Sequence, residues 1–310
     1  MQLKLIVSLF SLILIQVQLF AQTPPPASSW SDVTCVSPFY FGPNAFPVPD
    51  MLDGRVSSLL RIELCGDYYV GKRGDRTENI ALKANVPLWT DRVNLSLWMP
   101  VVEWYQNSVE NMAACNVADE NRESALRGSL MGDLYVCTDI QILKEKRYRP
   151  DIALRAAIKT ASGGGYSQAR YYDAPGYFFD ASVGKSLVLG GSVWHHKLRL
   201  AASVGFLCWQ THNARQNDAT QYGLMLKWEN RYFSLSQTLG GYSGWEHITC
   251  NGKEFAHDSP MSLKTNLSVY YKMYEFLLAY QYGVRDYPYH QLRFGIAYNF
   301  DILKKTTSSK

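Results

Sequence analysis

From residue 57 onward, apolar side chains return at every second position over runs of about ten residues, and a period of two is that of a β-strand with unlike faces. Thr77–Leu88 sets Ile80, Leu82, Ala84, Val86 and Leu88 on one face, with Lys83 and Asn85 on the other. Asp151–Thr160 repeats the pattern, with Ile152, Leu154, Ala156 and Ile158 against Arg155 and Lys159. Ser58–Gly71, Arg92–Tyr105, Ser129–Lys144, Gly176–Leu187, Lys197–Trp209, Gln221–Asn230, Tyr232–Gly241, Ser262–Lys272, Tyr274–Gly283 and Tyr289–Phe300 read alike. The expected fold class is all-β, with about twelve strands.

The length of these runs decides between a soluble sandwich and a membrane barrel. Strands of soluble proteins run about five or six residues, whereas about ten are needed to cross a bilayer at a tilt. The connections also alternate in length. Trp89–Asp91, Glu145–Pro150, Val188–His196 and the steps at Arg231 and Met273 are short, while Asn107–Gly128, Ala161–Pro175, Gln210–Thr220 and Tyr242–Met261 are mostly longer and polar. Outer-membrane barrels show that asymmetry, with short periplasmic turns and long external loops. Hydrocarbon tolerates no open sheet edge, so the sheet must close.

Composition agrees. The 310 residues include 21 Tyr, 13 Phe and 8 Trp, and only 19 % are charged. Thirty-one basic residues against 27 acidic ones leave no polybasic tract, which argues against nucleic acid as a partner. Residues 1–21 carry Lys4, an apolar run from Leu5 to Ile15 and a small residue at Ala21, the three regions of a secretory signal peptide. No later segment is long and apolar enough for a transmembrane helix. Residues 22–56 hold seven of the thirteen prolines, so neither a helix nor a central strand runs through them; a periplasmic segment or an irregular cap is expected. Residues 57–300 form the expected barrel, and 301–310 a periplasmic tail.

The last run places Leu292, Phe294, Ile296, Tyr298 and Phe300 on one face. It resembles the closing strand of Gram-negative outer-membrane β-barrel proteins, whose aromatic end is read by the barrel-assembly machinery; here a ten-residue tail follows. Gly132-Asp133 opening one strand, and Lys159-Thr160-Ala161-Ser162-Gly163 closing the next, are similar to solute channels of the phenol-degradation outer-membrane type. The resemblance implies residence in the cell outer membrane, contact with its lipid and lipopolysaccharide, and passage of small solutes.

If the apolar alternate faces lipid, the polar alternate faces a lumen, because a charge on the lipid face near the midplane costs about 2–4 kcal/mol. The lumen set includes Arg155, Lys159, Lys197, Arg199, Asp139, Asp133, Asp180, Lys83 and Arg293. With Arg61, Lys227, Lys264, Glu63, Asp67 and Glu275, basic groups outnumber acidic ones nine to six, which predicts a modest preference for anions. Such a lumen is either a wet, charge-selective channel or a set of salt bridges closing the barrel. Lys185 falls on the lipid alternate, near enough to a strand end to snorkel.

Chemistry beyond passage has thin support. His257-Asp258-Ser259 has a spacing reminiscent of outer-membrane phospholipases, in a polar loop without an orienting partner. An outer-leaflet lipid enzyme and a closed structural or partner-binding barrel are the alternatives to a channel. The adjacent His195 and His196 lack a third metal ligand, and Gly163-Gly164-Gly165 lacks the context of a phosphate loop. No cofactor is implied. Cys115 and Cys250, both in long loops, are the pair expected to form any disulfide.

Overall fold

The computed structural model describes residues 40–88, 90–188, 196–210, 218–245, 248–250, 253–255 and 259–303, the side chains of 248–250 and 253–255 excepted. Twelve long strands close into one antiparallel barrel: β1 (Leu60–Gly71), β2 (Arg76–Pro87), β3 (Val93–Gln106), β4 (Tyr135–Leu143), β5 (Asp151–Lys159), β6 (Gly176–Val188), β7 (Lys197–Trp209), β8 (Ala219–Glu229), β9 (Phe233–Gly244), β10 (Met261–Tyr271), β11 (Tyr274–Arg285) and β12 (Tyr289–Phe300). Each pairs with its sequence neighbours, and β12 closes the sheet on β1 from Leu60↔Phe300 to Gly71↔Tyr289. Both barrel ends of the chain therefore lie with the short turns, on the periplasmic side by the asymmetry of such barrels.

The outward positions are apolar and exposed, as they must be when hydrocarbon is their solvent. Leu64, Leu82, Ile158, Phe179, Leu200, Val204 and Phe294 stand there. Tyrosines gather at the periplasmic rim, where Tyr274 and Tyr298 pack edge to face at 5.4 Å. Aromatic girdles suit that depth, since one end of the ring is apolar and the other wet.

Three departures from simple alternation matter. A bulge opposite Ile80/Ala81 makes Val101 an extra residue in β3, so the inward parity moves from Asn94 and Ser96 to Glu103 and Tyr105. The run expected as Ser129–Lys144 is broken: Arg127–Leu130 pairs with the outer end of β3, residues 131–134 leave the sheet, and β4 begins at Tyr135. The loop after β3 folds into two short helices, α1 (Val109–Ala114) and α2 (Arg122–Leu126); Ser108 caps α1 by accepting from the Asn111 N–H at 2.9 Å.

Candidate functional site

Residues 40–57 do not lie beneath the barrel. They descend inside it, from the long-loop end to the start of β1, a course that the sequence, with a periplasmic segment or an irregular cap both open, does not specify. Prolines 43, 47 and 49 fix φ and carry no N–H, so the segment offers mostly carbonyl acceptors. The wall supplies the donors. Tyr289 Oη donates to the Phe41 carbonyl at 2.7 Å, Tyr287 Oη to Pro43 at 2.9 Å and Tyr242 Oη to Phe46 at 3.2 Å. Further down, Arg155 Nη1 donates to the Asp50 carbonyl at 2.6 Å, Arg199 Nη2 to Asp53 at 2.7 Å and Gln141 Nε2 to Gly54 at 2.8 Å. The segment is held by side chains of five strands and of the turn before β12 and joins the ladder of none, so it is a plug and not a thirteenth strand.

Near the outer end the plug is gripped twice. Phe46 is 2 % exposed, packed among Tyr172, Phe178, Trp209 and Tyr242. Beside it Asn44 Nδ2 donates to Glu103 Oε2 at 2.8 Å and its Oδ1 accepts from Tyr69 at 3.0 Å. Glu103 also takes Arg170 Nη2 at 2.7 Å and Tyr171 Oη at 2.9 Å. Arg170 reaches Thr77 as well, so one buried carboxylate ties plug, wall and the loop after β5 together. A carboxylate this deep must be fully bonded to be tolerated, and this one is.

Two plug carboxylates meet wall cations. Asp50 Oδ1 lies 2.8 Å from Lys264 Nζ, and Oδ2 lies 3.9 Å from Lys83 Nζ. Asp53 lies 3.3 Å from Lys227 Nζ and also bonds Arg55, whose Nη1 reaches Glu229 at 2.8 Å. A cavity of about 380 Å³ remains in the lumen beside Asp50, lined among others by Lys83, Trp98, Arg155, Lys264 and Gln291.

The residues singled out from the sequence face inward but are mostly paired. Arg155 Nε donates to Asp139 Oδ1 at 2.8 Å and stands in register with Asp180 on its other side, whose carboxylate is buried without a hydrogen-bond partner among the described residues. Arg293 Nη2 donates to Asp67 Oδ2 at 3.0 Å. Arg199 Nη2 bonds Asp151 at 2.8 Å, and Nη1 bonds Glu145 at 3.1 Å. Lys159 and Asp133 pair at 2.6 Å with side chains 1 % and 0 % exposed. The Gly163 N–H donates to the same Asp133 at 2.6 Å, so the two segments quoted for the channel resemblance touch. Lys83 keeps a wetter place, and Lys197 stands exposed at the inner end of β7.

The charge tally changes. Glu103, Asp151 and Glu229 also point inward and were missed, the first because of the bulge and the others because they end their strands. They remove the expected basic excess of the wall. Lys185 does not snorkel to headgroups; its Nζ donates to the carbonyls of Lys146, Arg147 and Arg149, closing the turn before β5.

Of the expected Cys115–Cys250 pair, Cys115 is a free thiol. It packs against the cluster of Met112, Val117, Ala125 and Ala169, lies 3.7 Å from Asn111 Oδ1, and burial pushes its pKa up to about 12. The side chain of Cys250 lies outside the described residues, as do His195, His257 and Asp258. Ser259 is buried, its Oγ 3.1 Å from Ser243 Oγ and its N–H on Asp286. Among the described residues no group of three or more His, Cys, Asp or Glu could hold a metal ion.

No protein-family model and no curated protein matches the chain. Solved structures do. The COG4313 outer membrane channel from Pseudomonas putida F1 superposes with a TM-score of 0.55 at 10 % identity, covering 81 % of this chain and all of that one. The chain has the fold of an outer-membrane channel. The KdgM porin follows at a TM-score of 0.46 and 10 % identity, over 77 % of this chain and 99 % of its own. The translocator domain of the autotransporter NalP from Neisseria meningitidis gives 0.40 at 10 % identity, over 80 % and 91 %.

Proposed function

We propose that the protein is a passive outer-membrane channel for small polar solutes, anions included, and that residues 40–57 are its removable stopper. What supports this reading is the way the plug is held: by side chains of the wall on its carbonyls, with no ladder to unzip, beside a cavity already open in the lumen. One solved structure that superposes over 81 % of the chain is itself an outer membrane channel. Pairing within the wall keeps the charge selectivity of the open state modest. The apolar belt faces lipid, with lipopolysaccharide at its outer rim, and the strand ending at Phe300 is the element offered to the barrel-assembly machinery.

Planar-bilayer recording tests this. The intact chain should give rare or small current steps, and a chain lacking residues 41–56 should give sustained, several-fold larger ones. Silence of both proteins, with folded barrels confirmed, would instead favour a closed structural or partner-binding barrel.

A further inference from the structure

Apart from Lys197, exposed at the end of its strand, the lumen's cations divide into two kinds. Arg61, Arg155, Lys159, Arg199, Lys227 and Arg293 each have a carboxylate from the wall, its turns or the loops. Lys83 and Lys264 differ: among the described residues the one carboxylate that each pairs with is that of Asp50, on the plug. They stand on β2 and β10, four strands apart around a twelve-stranded wall. Arg155, on β5 across the lumen, donates to the carbonyl of the same Asp50. Three strands spaced around the barrel thus converge on one residue of the plug, with one lysine for each carboxylate oxygen.

We propose that Lys83 and Lys264 form a carboxylate-binding site of the lumen, that Asp50 is its tethered occupant, and that a small anionic solute is admitted by taking Asp50's place. The proposal rests on the channel reading for its consequence, but the binding site stands without it. Three observations carry it. The first is that withdrawal of Asp50 would leave Lys264 with no carboxylate partner among the described residues and Lys83 with only its cross-strand neighbour Glu63, which is already bonded to Arg61, and a low-dielectric wall focuses the resulting positive field on any anion that enters.

The second is access. The Asp50 side chain is 49 % exposed and borders the cavity of about 380 Å³, a volume within the range of small-molecule sites. A solute can therefore approach the lysines while Asp50 is still seated, and exchange needs no prior collapse of the barrel. Gln281 and Gln291 line the same cavity and supply neutral donors beside the charges.

The third is the contrast with Asp53, three residues along. Its cations Lys227 and Arg199 keep Glu229, Glu145 and Asp151 when Asp53 leaves, so nothing there demands a replacement anion. The lower contact is a clamp. The upper one is a site.

A tethered competitor acts at an effective concentration in the millimolar range, so removing its charge should unmask the site. Titration calorimetry of the detergent-folded full chain with succinate reads this directly. Asp50→Asn should bind succinate about ten-fold or more tighter than the natural chain, in line with loss of such a competitor. Adding Lys83→Met and Lys264→Met to Asp50→Asn should abolish the binding; should that triple variant not fold, Lys264→Gln on the Asp50→Asn background should weaken it several-fold. Equal succinate affinity with and without the Asp50 carboxylate, or binding indifferent to the lysines, would overturn the proposal. Because calorimetry needs no conduction, silent bilayers with intact binding would sink the channel reading alone, and conduction without binding would sink the site alone.

Discussion

Glu103 on β3 and Arg170 in the loop after β5 meet at 2.7 Å with side chains 0 % and 1 % exposed, and both sit within bonding distance of the plug or its partners. Gly42 N–H donates to the Arg170 carbonyl at 3.1 Å, so that loop and plug also share a backbone contact. Removing one member of a buried pair leaves the other uncompensated, at a cost of about 3–5 kcal/mol. Arg170→Met should therefore lower the stability of the barrel's outer end by that order, read as an earlier denaturant midpoint of tryptophan fluorescence. A midpoint indistinguishable from that of the natural chain would show that Glu103 is neutral or solvated there.

Gly184 on β6 offers a way to disturb the plug without replacing a charged residue. A Cβ added there would stand 2.1 Å from the Asp53 carbonyl oxygen and 2.5 Å from Arg199 Nη2. Plug backbone must shift to admit it. Gly184→Ala should raise the frequency of current steps in planar bilayers, whereas Gly66→Ala, whose Cβ would have its nearest neighbour at 3.9 Å, should leave them unchanged. Identical records from the two variants would mean that the lower clamp does not restrain the plug.

Much of this architecture was legible in the sequence because the lipid face tolerates so little. Each strand must keep its outward alternate apolar, so Ile80, Leu82, Leu154 and Phe294 announce the wall long before a structure does. A residue that breaks the alternation is harder to read: the extra Val101 puts Glu103 inside, and nothing local marks it. The prolines say that residues 43–49 make no regular element, but not where they go. Their destination depends on Tyr242, Tyr287 and Tyr289, whose hydroxyls converge on carbonyls about two hundred residues away in sequence. Long-range complementarity of that kind has no signature in spacing. Most lumen charges were visible one by one, but Glu103, Asp151 and Glu229, which cancel the basic excess, were hidden by the bulge and by strand ends, and the pairing of all of them depends on inward positions in strands and plug together.

The closing strand makes a prediction of a different kind. β12 is hydrogen-bonded to β1 and to β11 along nearly its whole length. Ending the chain before Tyr289 exposes two edges to hydrocarbon, where unsatisfied backbone groups cost several kcal/mol each. Heat-modifiable migration, the sign of a closed barrel, should disappear in that truncation and persist when only residues 301–310 are removed. If both truncations behave alike, the tail takes part in closure and β12 is misplaced as its last element.

A staple across the lumen tests whether the plug must leave for solute to pass. Val48 Cγ1, which stands one bond beyond its Cβ as a cysteine sulfur would, lies 3.6 Å from where a Cβ on Gly240 would be, so two short side chains can bridge the gap. Val48→Cys with Gly240→Cys should join the plug to β9 between its aromatic grip at Phe46 and the carboxylate at Asp50. Cys137 lines the same cavity, so Val48→Cys alone is the control for a stray bond. Under oxidation the doubly substituted protein should give no current steps beyond baseline, and a membrane-permeant reductant should restore those of the natural chain within the same recording. Undiminished conduction by oxidised protein, with the engineered bond between positions 48 and 240 confirmed by peptide mass, would show that solute passes around a seated plug. In that case the cavity beside Asp50 would itself be the path, and Lys83 and Lys264 would act on solutes in transit rather than by exchange with the plug.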